Sequence, residues 1–215
     1  MAYRETDKIK ERKAEARENI VKAAHYLVAT KGFGAASVSA VAKEADIATG
    51  TVYKYFPSKG ELLCEVFRDA TEREVEKVAA AVNTAGSAPA RLQAAIECFA
   101  RRAIQGRRLA WALIAEPVDP QVDQERLIYR QAYAEIFENL LREGILKSEL
   151  PQQSPSVSAA AIVGVISETL VGPLSPPTRR ELHDTVKPSE LDEERLVSSI
   201  TRFCLQAVCG PNSSI

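Results

Sequence analysis

Apolar residues recur along this chain at helical spacing, and nowhere is the alternation of a half-buried strand sustained, so the expected fold class is all-α. Ile20, Val21, Ala24, Leu27 and Val28 fall on one helix face, and Gly32 is placed to stop that helix. A shorter stripe of Val38, Val41, Ala42 and Ala45 follows, with Ser37 as its N-cap. A third short helix is predicted from about Thr49 to Tyr55, ending before Pro57. Ser58 and Glu61 then stand at capping-box spacing and open a long fourth helix carrying Leu62, Leu63, Val66, Phe67, Ala70 and Val78.

The pattern breaks from Asn83 to Pro89, read as a hinge, and resumes in helices near 89–105, 107–115, 121–144, 155–171 and 190–209. Proline density between Gly172 and Pro188 predicts a long loop there. The organisation that follows is an N-terminal extension (1–13), a three-helix unit (14–60) and a larger helical body (61–215), joined by the long fourth helix. The extension either prolongs the first helix, lies as an arm along a nucleic acid, or is a frayed solvated terminus, which is the preferred reading.

Charge sharpens this division. Residues 1–60 hold 11 Lys and Arg against 7 Asp and Glu, a net of +4, which leaves −5 for residues 61–215. A basic head on an acidic body suits a nucleic-acid reader with a separate regulatory part. Four cysteines without a CxxC pair and two distant histidines offer no zinc ligand set, so no metal and no cofactor are expected. No apolar run of about 18 residues suggests a bilayer span, and the charged first 20 residues are unlike a signal peptide, so a cytoplasmic protein without a membrane partner is expected.

Two short helices joined by a tight turn form the unit that places a helix in the DNA major groove. Residues 37–56 fit that form. Thr49, Thr51, Tyr53, Lys54 and Tyr55 supply side chains that contact phosphate or base edges, Gly50 allows close backbone approach, and Lys59 suits a flanking phosphate. Exposed Thr and Lys occur on any helical unit, however, and Tyr53 and Phe56 are equally compatible with a core.

The run Gly32-Phe33, Ser37-Val38, Val41-Ala42, Ala45, Ile47, Gly50 to Phe56 and Ser58-Lys59 to Leu63 resembles the signature of the TetR family of transcriptional regulators over about residues 14–67. That resemblance implies a homodimer with two N-terminal reading heads on a double-stranded, palindromic operator, an effector pocket in the body, and dimerisation through the last two helices. It also places DNA contacts on Ser37 and Ser39, on Thr49 to Tyr55, and on Lys59. Two positions depart from the signature. Asp46 stands where the turn usually has Gly, and Ala48 stands where the recognition helix usually has a capping Ser, so capping shifts to Thr49 or is lost.

In the body, Phe99, Trp111, Tyr129, Tyr133 and Phe137 are candidates for an apolar effector cavity, although an aromatic stripe is more often core. Arg101, Arg102, Arg107 and Arg108, with Arg126 and Arg130, either hold an anion or form a solvated turn. The first choice predicts an amphipathic, anionic small molecule resembling a fatty acid or acyl-CoA, with Arg102 and Arg130 among its contacts. Residues 157–171 are almost wholly apolar, and with Leu191, Leu196, Leu205 and Val208 they predict a four-helix dimer interface involving Ala160, Gly164, Ile200 and Phe203, or else burial within one chain. The resulting function is a ligand-responsive repressor released from its operator by effector binding. The alternatives are a helical enzyme using the cavity, for which no nucleophile–base–acid set or phosphate loop can be placed, and a helix-turn-helix module that binds protein.

Overall fold

A computed structural model describes residues 7–176 and 190–210, and among them every regular element is helical. The helices are α1 (Asp7–Lys31), α2 (Val38–Glu44), α3 (Thr49–Tyr55), α4 (Lys59–Val82), α5 (Ala88–Gln105), α6 (Arg107–Ile114), α7 (Pro120–Leu146), α8 (Pro155–Leu174) and α9 (Glu190–Cys209), with a 3-10 turn at Phe33–Ala35. Local chemistry explains the starts. Ser37, Ser58, Ser87 and Asp119 each accept a backbone N–H from the first turn of the helix they precede, and α5, α7 and α8 carry Pro in that turn, where its missing N–H costs nothing.

The structure departs from the predicted organisation at α1, at α8 and at the turn before α5. Helix α1 already runs from Asp7, so the frayed reading of the extension does not hold for residues 7–13. Long Lys, Glu and Arg side chains favour helix there without any apolar stripe to reveal it. Helix α8 continues through Gly172 and Pro173 to Leu174, and the rest of the predicted 172–188 loop, from 177 onward, lies outside the described residues, as do residues 1–6. The expected hinge is a pinned turn. Arg91 donates to the Val82 carbonyl at 2.6 Å and pairs with Glu143 at 2.7 and 3.1 Å, while the Ala88 N–H reaches Glu149 at 2.5 Å.

Two cores share α4. In the head, Leu62, Leu63, Val66 and Phe67 pack with Ile20, Leu27, Val41, Val52 and Phe56, and this core also takes Ala112 of α6 and Val122 of α7. In the body, Val78 and Val82 join Leu92, Ile96, Phe137, Leu140, Ile166 and Leu170. Contrary to the sequence reading, α8 is long and apolar enough by length and composition to cross a membrane, with a mean hydropathy of 1.7. Its inner face, Ala159, Ile162, Val163, Ile166 and Leu170, is buried in the body core instead.

Candidate functional site

The turn between α2 and α3 is made as the sequence demands. Asp46 sits in the left-handed region at φ 54°, and the Ile47 N–H closes back on the Ala42 carbonyl at 2.9 Å. Ala48 is the N-cap of α3 and supplies no side-chain bond. Thr49 does not take over, so the cap is lost and the first N–H groups of α3 are left open. Val52 and Phe56 turn inward, and Arg17 lies over the Phe56 ring at 4.9 Å. Thr49, Gly50, Tyr53 and Lys54 face out, with Thr51 and Tyr55 half-buried beside them. Tyr53 is 51% exposed, which answers the question of whether it is core.

Ser39 and Lys59 are exposed on the same unit, whereas the Ser37 hydroxyl accepts the Ala40 N–H at 3.2 Å and lies 3.1 Å from the Ser39 hydroxyl. A Cβ on Gly50 would meet nothing within 4 Å. No packing within the chain therefore requires glycine there, and the face is left bare.

Below the head, α4 to α8 enclose a cavity of about 770 Å³, open solvent at its mouth included. Its walls are mainly apolar: Phe67, Val78, Phe99, Ala103, Leu109, Leu113, Ile114 and Val163. Of the residues expected here, Phe99, Arg102, Tyr129, Arg130 and Tyr133 line it, and the Phe99 and Tyr133 rings meet edge-on at 4.9 Å. Trp111 and Phe137 do not. Leu109, Ala110, Leu113 and Ile114 form the cavity face of α6, which turns Trp111 aside, and Phe137 is buried in the body core.

Most arginines of the expected cluster are paired within the chain. Arg101 pairs with Glu194, Arg107 with Glu193 and the Pro173 carbonyl, and Arg102 is held by both oxygens of Glu74 at 2.5 and 2.7 Å. Arg126 donates to the carbonyls of Leu113 at 2.9 Å and Glu116 at 2.8 Å at the end of α6, and burial pushes its pKa down. Among the described residues Arg130, exposed at the cavity, makes no ion pair. The Tyr129 hydroxyl donates to Glu72 at 2.9 Å, and burial first and Glu72 second raise its pKa.

Two contacts that the sequence reading missed join cavity and head. Phe67 lines the cavity and also packs in the head core, with ring centroids 5.9 Å from Tyr129 and 6.2 Å from Phe33. Glu116, just past α6, accepts the N–H groups of Phe33 at 3.2 Å and Gly34 at 3.3 Å, while Arg108 of α6 donates to the Lys31 carbonyl at 2.5 Å. Gly32 makes this clasp possible. Its φ is +88°, and a Cβ there would lie 1.9 Å from an Arg108 nitrogen and 2.5 Å from a Glu116 oxygen. Clasp partners separated by 77 to 83 residues leave no periodic trace in a sequence.

Helices α8 and α9 present a second outer face. Ala160, Ala161 and Gly164 are exposed on α8, and Phe203 is 59% exposed on α9. Ile200, expected at an interface, is instead buried in the body core with Leu205 and Val208, while Phe203, one turn on, stands beyond the edge of that buried face. The side chain of Leu191 lies outside the described residues.

Residues 20–66 match the family model of bacterial regulatory proteins, tetR family. Over 154 residues, 70% of this chain and 79% of the relative, the sequence is 25% identical to the fatty acid metabolism regulator protein of Bacillus subtilis. A shorter match, 38% identical over 78 residues and covering 36% of each chain, is to the HTH-type transcriptional repressor KstR of Mycolicibacterium smegmatis. The fold is similar to that of the regulator FadR from Bacillus subtilis, solved in complex with stearoyl-CoA, with a TM-score of 0.69 and 22% identity over 87% of this chain and 97% of that one.

Proposed function

The reading head of this chain belongs to the tetR family of bacterial regulatory proteins, and from that premise we infer a cytoplasmic, homodimeric repressor that leaves its operator when an amphipathic, acyl-thioester-like effector enters the body cavity. The observation that carries this reading is Phe67. Its buried ring belongs to both the cavity wall and the core of the head, beside Leu109, Leu113 and Tyr129, so whatever fills the cavity presses on residues against which the head packs.

On DNA, the open N–H groups of α3 and the side chains of Thr49, Tyr53 and Lys54 meet the major groove and its flanking phosphates, with Ser39 and Lys59 at the edges. Gly50 lets the backbone approach the duplex, which accounts for a glycine that nothing inside the chain requires. Similar logic supports the dimer. Gly164 is a helix-interior glycine with open space around its Cβ position, and it stands on the exposed apolar face that includes Ala160 and Phe203, as expected where a second copy packs closely.

In the body, the apolar walls take a hydrocarbon chain and Arg130 takes an anionic group at the exposed side, since the other arginines are already paired. The likeness to a fatty acid metabolism regulator supports that choice of ligand. Effector-induced displacement of Phe67 on α4, and of α6 with its Glu116 clasp, changes the spacing of the two heads, which must match half-sites about 34–36 Å apart per helical turn.

Fluorescence anisotropy with the DNA upstream of the chain's own gene, at several salt concentrations and with or without stearoyl-CoA, tests the whole reading. Specific binding with a steep salt dependence, reversed by stearoyl-CoA, is expected. Absence of specific binding with and without ligand would refute a DNA reader.

A further inference from the structure

The polar groups that line the cavity are not equally available. Glu74 and Arg102 satisfy each other through two hydrogen bonds, the Tyr129 hydroxyl is used by Glu72, and the Thr71 hydroxyl turns back to the Phe67 carbonyl at 2.7 Å. Two hydroxyls remain. Tyr133 on α7 and Ser167 on α8 both line the cavity, are only 8% and 5% exposed, and have no hydrogen-bond partner among the described residues. Neither oxygen is sealed away, because the completely enclosed unpartnered side-chain atoms among the described residues belong to Arg108 and Thr201. Ser167 also forgoes the bond to the carbonyl four residues back that its neighbour Thr169 makes at 2.6 Å. Buried polar groups in folded proteins are almost always paired, so two open hydroxyls in one apolar cavity call for a partner from outside the chain.

The surroundings say what that partner is. Tyr133 lies within electrostatic reach of both Glu74 and Arg102, whose charges cancel, and its pKa is raised, chiefly by burial, so its hydroxyl stays protonated and able to donate. A carboxylate placed between Tyr133 and Ser167 would face Glu74, whose cation Arg102 is already paired, while the unpaired Arg130 stands at the exposed side; an ammonium there would face Arg102. A neutral oxygen can accept from Tyr133 and exchange a hydrogen bond with Ser167 without disturbing the ion pair.

Building on the effector reading above, we propose that the occupant of the cavity carries an uncharged oxygen, a hydroxyl or keto group, on its enclosed chain, and that Tyr133 and Ser167 select for it. The enclosed part of the effector is then oxygenated and neutral, with any charge held outside it toward Arg130. Tyr133 and Ser167 are specificity-determining residues, and the apolar walls supply binding common to all chains.

Calorimetric titration of the full chain with coenzyme A thioesters of one chain length tests this, using the saturated, 3-hydroxy, 3-keto and mid-chain hydroxy forms against wild type, Tyr133→Phe and Ser167→Ala. At least one oxygenated thioester should bind wild type about tenfold or more tightly than the saturated parent. Tyr133→Phe keeps the ring against Phe99 and should remove most of that preference, Ser167→Ala should reduce it, and in both variants the oxygenated thioester should lose more affinity than the saturated parent. Equal affinity for all forms, or a preference that survives in both variants, overturns the proposal while leaving the effector reading standing. Failure of every thioester to bind removes the effector reading and this proposal with it.

Discussion

The head and the body are built from the same material, short-range helices with apolar stripes, yet they leave opposite things unsatisfied. In the head, the side chains that suit DNA stand outside the packing: Thr49, Tyr53 and Lys54 are exposed, and the first turn of α3 has no side-chain cap. In the body, the conspicuous cations are internally paired, and what stands open is a mainly apolar space with two hydroxyls and one exposed arginine. A charge cluster therefore points to function only where the fold does not supply its counterions.

Changes that break this contrast should act in a graded order. Phe67 belongs to both regions, so Phe67→Ala should have the largest effect, destabilising the protein by about 3–5 kcal/mol in chemical denaturation and weakening both operator and effector binding. A variant that lost only one of the two would show that head and body are separate. Removing the clasp by Glu116→Ala strips two backbone N–H groups of a charged acceptor and should cost roughly 2–3 kcal/mol. Effector affinity should be retained while effector-driven release of DNA weakens, as read by anisotropy alongside calorimetry; full release in the variant would exclude the clasp as a route.

Confined to the head, Lys54→Ala should lower operator affinity by about 1–2 kcal/mol and reduce the salt slope by about one charge, with stability within about 0.5 kcal/mol of wild type in a denaturant titration. Asp46→Gly should have the smallest effect and the opposite sign. Relief of the left-handed conformation at φ 54° should raise stability by about 0.5–1 kcal/mol without altering operator preference. A change of operator preference would mean that Asp46 itself faces DNA.

Much of the fold was legible because periodicity, caps and prolines are local signals. Ser37, Ser58 and Gly32 mark the ends of elements as expected, and α5 begins one residue from its predicted start. Extension of α1 before residue 14 was set second to a frayed terminus because the stretch has no apolar stripe. The recognition helix was legible because its inward positions, Val52 and Phe56, leave its outward ones fixed by helical geometry. The cavity was only half legible. Aromatic composition brought Phe99, Tyr129 and Tyr133 to it, but the rotation of each helix about its axis excluded Trp111 and Phe137, and that rotation is set by packing between elements distant in sequence. Glu74 and Glu116 carried no local signal, since each acquires its role from a partner on another helix.

The fit at Gly32 has a consequence for making chimeric regulators. A head cut after residue 60 and joined to a foreign body would keep its recognition helix and lose Arg108, Ala112, Glu116 and Val122, which complete its underside. The Phe33 and Gly34 amides would then lack their carboxylate acceptor, and the gap beside Gly32 would be empty. The transplantable unit of DNA recognition in this protein is thus discontinuous along the chain, a stretch through Phe67 together with a second from Arg108 to Val122.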